Sequence, residues 1–263
     1  MAEQAVIVWD LETVPDLDAA ARLYGLDPAD QEAVCEALGT GFPKPPLHKI
    51  ACIGALVAKR DDDGWRVTAI GAPHIEERPE PELIASFLAR IAELRPQLVT
   101  FNGSGFDLPV LRYRAMVNRL PAPGLQARGY FNRYSNDAVD LCDVLASFGS
   151  SSKMKLDELS RILGLAGKPE GIDGGKVDSF IAAGKIDEVS RYCETDVVNT
   201  YRLWLIHELF RAAITPDELR WSERQLVDYV RRQKQANPYL QAAMDLRSEE
   251  RRVGKECVST CRS

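Results

Sequence analysis

Apolar residues fall along this chain in two rhythms. Residues 5–9 (AVIVW) form an unbroken, β-branched apolar run that stops at Asp10, the pattern of a strand covered on both faces whose C-terminal end carries polar chemistry. Residues 48–59 and 65–71 are also strand-like, and the charged turn Asp61-Asp62-Asp63-Gly64 between them predicts a hairpin. Residues 97–101 predict another buried strand, running into the turn Asn102-Gly103-Ser104-Gly105. Apolar spacings of three or four predict helices over residues 17–24, 28–38, 81–94, 107–119, 156–163 and 216–232. The strongest helix covers 186–210, where Ile186, Val189, Cys193, Val197, Thr200 and Trp204 make one stripe. Residues 39–46, 120–124 and 167–175 read as loops, 139–148 as a short apolar segment followed by a serine-rich linker. A hairpin followed by strands alternating with helices implies a single-domain α/β fold, a mixed sheet flanked by helices, over residues 1–246 with its core at about 5–210.

With 45% hydrophobic and 27% charged residues the chain is globular, which excludes disorder and collagen-like structure. The longest uncharged apolar run, residues 50–58, is strand length, far below the roughly 18 to 20 residues of a membrane helix. No basic segment precedes a long apolar one at the start, so a cytoplasmic protein without membrane association is expected. The final residues 247–263 (RSEERRVGKECVSTCRS) lack a hydrophobic period and resemble the in-frame translation of a sequencing adapter. Removing their five basic and three acidic residues from the 33 and 39 leaves a net charge of −8 in place of −6. Either value excludes a protein held to nucleic acid by bulk charge alone, but not an enzyme with a local basic strip. The remaining cysteines, Cys35, Cys52, Cys142 and Cys193, are scattered without a C-x-x-C pair, which fits buried thiols rather than a thiolate zinc site.

Three short segments concentrate acidic chemistry. Asp10 and Glu12 sit two apart on an extended segment, so they project to one face. No basic residue lies within nine positions of either; a divalent metal is the usual compensation for such a pair, and a solvated strand end is the alternative. Asp107 follows the strand and turn at 97–105, where it is either a helix N-cap or a group on the sheet edge beside Asp10. Tyr192 and Asp196, four apart, stack on one face of the strongest helix, with Asp196 at the border of its apolar stripe; an i,i+4 contact on a solvated flank is the alternative. Four carboxylates brought together can hold two magnesium or manganese ions about 3.5 to 4 Å apart, as in phosphodiester hydrolysis. Between Asp107 and Asp137 lie five arginines (Arg112, Arg114, Arg119, Arg128, Arg133), no acids, and Tyr113, Tyr130, Phe131 and Tyr134. This composition suits a single strand of nucleic acid or, equally, an ordinary helix flank. Lys153 and Lys155 are further candidate phosphate contacts. Ser150–Lys153 and Ser152–Lys155 spell S-x-x-K without its companion motifs, and Gly174-Gly175-Lys176 lacks the rest of a P-loop.

WDLET (9–13), NGSGFD (102–107) and YCETD (192–196) resemble the three motifs of the DEDD superfamily of 3′-5′ exonucleases, in its tyrosine subfamily. The resemblance covers most of residues 5–207 and is greatest to stand-alone bacterial exonucleases similar to the proofreading domain of family-B DNA polymerases. A histidine-subfamily member would carry His where Arg191 stands; His48, His74 and His207 lie elsewhere. The resemblance implies a ribonuclease H-like fold and two Mg2+ or Mn2+ ions ligated by Asp10, Glu12, Asp107 and Asp196. It further implies that Tyr192 orients the attacking water, and that Thr13, Asn102 and Phe106 bind the 3′ terminus. The expected reaction releases nucleoside 5′-monophosphates from single-stranded 3′ ends, DNA rather than RNA, with a DNA polymerase or repair protein as a candidate partner. A nucleic-acid-binding module without turnover, and a phosphatase using Asp10 as nucleophile, are the competing readings.

Overall fold

The computed structural model describes residues 4–165, 177–233, 239–240 and 244. The tail at 247–263, the glycine-rich loop at 167–175 and the Gly174-Gly175-Lys176 run lie outside the described residues. Strand β1 (Ala5–Pro15) occupies the middle of the sheet. After it come α1 (Leu17–Tyr24), α2 (Gln31–Leu38), β2 (His48–Asp61), β3 (Gly64–Gly71), α3 (Glu80–Leu94), β4 (Gln97–Thr100) and α4 (Asp107–Val117). The chain continues through α5 (Pro123–Gln126), β5 (Ala138–Asp140), α6 (Leu141–Leu145), α7 (Leu156–Ile162), α8 (Val177–Ala182), α9 (Ile186–Phe210) and α10 (Pro216–Arg232). The strand order is β3-β2-β1-β4-β5, with β1–β2 and β2–β3 antiparallel and β1–β4 and β4–β5 parallel. This is the α/β mixed sheet flanked by helices that the hairpin and the alternation of strands with helices predict, in keeping with the ribonuclease H-like fold of the resemblance. Among the described residues, no helix is long and apolar enough to cross a membrane.

Both faces of β1 are covered, which is why its apolar run does not alternate. Val6 and Val8 pack with Leu56, Tyr201 and Trp204 in the core under α9 and α10. Ile7, Trp9 and Leu11 pack with Ile84, Leu88 and Leu111 in the core under α3 and α4. The strand does not end near Asp10 as its sequence suggested: antiparallel pairing with β2 carries it on to Pro15. Its parallel partner β4 pairs only with Val6–Val8, so beyond that point one edge of β1 is open. The ladder slips between Glu12 and Thr13, where β2 holds Ala51 as an extra residue. That bulge re-aims the following side chains, so Ile50 joins the α3/α4 core although Cys52 lies under α9.

The stretch at 120–124 expected as loop runs into the short helix α5, and the 139–148 segment divides into β5, α6 and a following turn. Cys52, Cys142 and Cys193 are buried as expected; Cys35 is exposed. Three of the five arginines in the 107–137 strip pair with acids. Arg114 is buried and bidentate to Glu80 at 2.8 and 2.6 Å, and it reaches Asp16 at 2.5 Å, locking α4 to α3 and to the start of α1. Arg128 binds Asp137 at 2.8 Å, Arg133 binds Asp143 at 2.8 Å, and the buried Tyr130 donates to the Pro96 carbonyl at 2.7 Å.

Candidate active site

Alternation places Asp10 and Glu12 on the same face as Val6 and Val8, against α9. Ligand atoms of Asp10, Glu12 and Cys193 lie within 4.8 Å of one another. Close approach of the helix depends on Gly54, the cross-strand partner of Asp10. A Cβ at Gly54 would stand 2.5 Å from Cys193 Sγ and 3.0 Å from Val197 Cγ2. The same helix then delivers Tyr192 and Asp196, both buried, to the cleft lined by Asp10 and Glu12. The middle of α9 is buried all round, so Asp196 does not stand on a solvated flank. Glu194, within the same motif, turns away to bond Tyr239, over which the Arg191 guanidinium packs at 5.5 Å.

Asp107 does not cap α4. Phe106 holds the cap position, and the Asp107 carboxylate instead accepts from the Leu11 amide at 3.2 Å. That amide lies on the edge β4 leaves open, between Asp10 and Glu12. Gly103 makes room: a Cβ there would meet Asp107 Oδ2 at 2.6 Å. Burial pushes the Asp107 carboxyl well above the usual carboxylate range, and the charge of Asp10 adds to the rise, against the Leu11 hydrogen bond. The preceding turn is fixed by Asp140, which accepts from the Asn102 amide at 2.7 Å and from the Ser104 amide and hydroxyl at 2.9 and 2.7 Å. Asn102 adopts the left-handed conformation, φ 69°.

The other expected site residues fall on both sides of these acids. Thr13 and Phe106 line the cleft of about 670 Å³ that holds Asp10, Glu12, Tyr192 and Asp196. Asn102 lies in an adjoining cleft of about 510 Å³ that shares Asp10, Tyr192 and Asp196 and contains Lys153 and Lys155. Lys153 Nζ is 3.0 Å from Asn102 Oδ1 and 3.1 Å from Asp143 Oδ1. Sequence reasoning passed over His48, Phe42 and Asp178, which also line the larger cleft. Phe42 packs on His48 and Phe106 with ring centroids 4.7 and 5.2 Å away. Their spacing in the sequence contains no signal, because the bulge and the 39–46 segment bring His48 and Phe42 together and Asp178 comes from α8.

The donor set decides which cation fits. Carboxylate oxygens suit a hard ion such as magnesium or manganese. The nearby Cys193 thiol is pushed well up, first by its hydrogen bond with Cys52 and then by burial and the Asp10 and Glu12 charges, which favours the protonated form. Burial and the charges of Asp196, Glu12 and Asp10, with a hydrogen bond to Asp196, likewise hold the Tyr192 phenol far above its ordinary range.

The family model described as "Predicted 3'-5' exonuclease related to the exonuclease domain of PolB" matches residues 40–245. Solved structures similar to the chain include E. coli exonuclease I in complex with a dT13 oligonucleotide, at 16% identity over 72% of this chain and 42% of that one, TM-score 0.35. Others are an ExoI/SSB-Ct complex, at 16% identity over 76% and 44%, TM-score 0.35, and a product-bound exonuclease I, at 17% over 76% and 47%, TM-score 0.34. The chain spans less than half the length of these proteins. No curated protein matches it.

Proposed function

Since the chain belongs to the family of predicted 3′-5′ exonucleases related to the exonuclease domain of PolB, we propose that it removes nucleoside 5′-monophosphates stepwise from the 3′ end of single-stranded DNA, as a tyrosine-type DEDD enzyme. The observation that carries this reading is the Asp107 carboxylate seated on the Leu11 amide, buried and repelled by Asp10. Such crowding of acids is costly in a protein interior unless a cation offsets it. Asp10, Glu12, Asp107 and Asp196 would hold two Mg2+ or Mn2+ ions. When bound, the pair activates water near neutral pH and stabilises charge on the departing oxygen.

The chain's own groups then have separate tasks. Tyr192, whose phenol hydrogen-bonds Asp196 and lines the same cleft, fixes the direction of the attacking water. Thr13 and Phe106 receive the terminal nucleotide in the larger cleft. Asn102 and Lys153, joined at 3.0 Å, face the strand in the adjoining cleft, where the ammonium meets a phosphate. A DNA polymerase or repair protein remains the expected associate, given the relation to PolB.

The test is digestion of matched DNA and RNA oligonucleotides labelled at either end, with magnesium, manganese or excess EDTA. Mononucleotides should accumulate from the 3′ end of DNA only with metal. Asp10→Ala and Asp196→Ala should each lower the rate at least about 1,000-fold, whereas Tyr192→Phe should retain measurable activity. Full activity in Asp196→Ala, or in EDTA, defeats the proposal.

A further inference from the structure

We propose that His48 is a positioning residue that turns the Thr13 hydroxyl into an obligate acceptor, so that the cleft selects strands ending in a group able to donate a hydrogen, namely a free 3′-hydroxyl. The inference rests on the exonuclease reading above.

Two distances and the chemistry of the imidazole carry it. His48 Nε2 lies 3.0 Å from the Pro43 carbonyl oxygen, and Nδ1 lies 2.9 Å from Thr13 Oγ1. A carbonyl only accepts, so Nε2 carries the hydrogen. Burial pushes the His48 pKa down, against the Pro43 carbonyl and the Asp178 charge, so the ring is neutral and has one N–H to give. Nδ1 is therefore bare and accepts from Thr13. Having donated its only hydrogen to Nδ1, Thr13 Oγ1 offers the cleft lone pairs alone.

The surroundings hold that arrangement. His48 is 3% exposed and is clamped by Phe42 and Phe106, whose centroids lie 4.7 and 4.9 Å from its own. The bulge after Glu12 sets Thr13 opposite Ile50, so His48, two residues before Ile50 on β2, falls on the same face as Thr13. Were the ladder to run past Ala51 without the slip, the imidazole would project to the face under α9. Thr13 is half-buried and lines the cleft containing Asp10 and Glu12, so its free lone pairs meet whatever enters.

The experiment compares kcat/KM for one DNA oligonucleotide ending in a 3′-hydroxyl and one ending in 3′-fluorine, which matches the hydroxyl in size but donates nothing. The unaltered protein should favour the hydroxyl by at least about tenfold, the cost of facing acceptor with acceptor. In His48→Phe, which fits the aromatic clamp, the Thr13 hydrogen is released and can turn toward fluorine. The preference should shrink about tenfold through a relative gain on the fluorinated end, a change that damage to the fold does not produce. His48→Asn keeps an acceptor beside Thr13 and should keep the preference; Thr13→Val should lose it. Nitrogen-15 spectra of the labelled imidazole should show Nε2 protonated and Nδ1 bare, a result independent of turnover. An active protein whose preference is unchanged in His48→Phe, or whose Nδ1 carries the hydrogen, overturns this inference and leaves the exonuclease reading standing. If the unaltered protein releases nothing from either end, both fall.

Discussion

Asp107 shows how one side chain is placed by what its neighbours lack. The missing strand partner on the edge of β1 leaves the Leu11 amide free, and the missing Cβ of Gly103 leaves room for the carboxylate to reach it. The result is an acid that is more comfortable neutral, since burial and Asp10 both disfavour its charge. Asp107→Asn keeps the oxygen that accepts from Leu11 while removing the repelled charge. In EDTA this variant should therefore be at least as stable as the parent, by up to about 1 kcal/mol in a urea titration, while its exonuclease rate falls by about 1,000-fold or more. A clear loss of stability would mean that the charged form is the comfortable one. The sequence placed this carboxylate at a strand-to-helix turn and left two roles for it. Only the distance to an amide 96 positions away separates a cap from a site residue.

Among the elements, α9 is the one most legible in sequence, because 25 residues hold enough turns for its apolar stripe to repeat, and α10 follows for the same reason. The four residues of α5 and six of α8 are too short for any period to register. β1 looks shorter in sequence than it is because Asp10, Glu12 and Thr13 interrupt its apolar run. Pairing with β2, about forty residues away, keeps those positions extended, and a local pattern does not contain its partner. Arg114 drops out of the arginine strip for a similar reason: the acids that claim it come from positions 34 and 98 residues away. How α9 seats on the sheet is also non-local. Gly54→Ala brings a Cβ against Cys193 Sγ and should cost about 1–3 kcal/mol in urea, with reduced exonuclease activity because Tyr192 and Asp196 move with the helix. Adding Cys193→Ala should recover part of both losses, since the two substitutions share one space; strict additivity would show that the contact is not the cause.

For the molecule as a whole, the acidic total conceals where charge is balanced. Burial alone would raise the Asp143 carboxyl, but Arg133, Ser104 and Lys153 outweigh it and hold the group down to about 2. A carboxylate held below its ordinary range stabilises the fold above about pH 4, and that contribution disappears as pH falls toward 2. Because Arg133 and Lys153 are half exposed, solvent weakens the pairing, and Asp143→Asn should cost about 1–2 kcal/mol at neutral pH. The stability curve of that variant should be flatter than the parent's between pH 4 and 2. Parallel curves would place the balance elsewhere. Connections between strands and helices ordinarily tolerate added residues, and the four-residue reach of β4 makes the junction after Thr100 an exception. A sheet extended there by two more pairs, to Asp10 opposite Phe101, would occupy the Leu11 amide, and the proposed nuclease would fall silent with every acidic group intact.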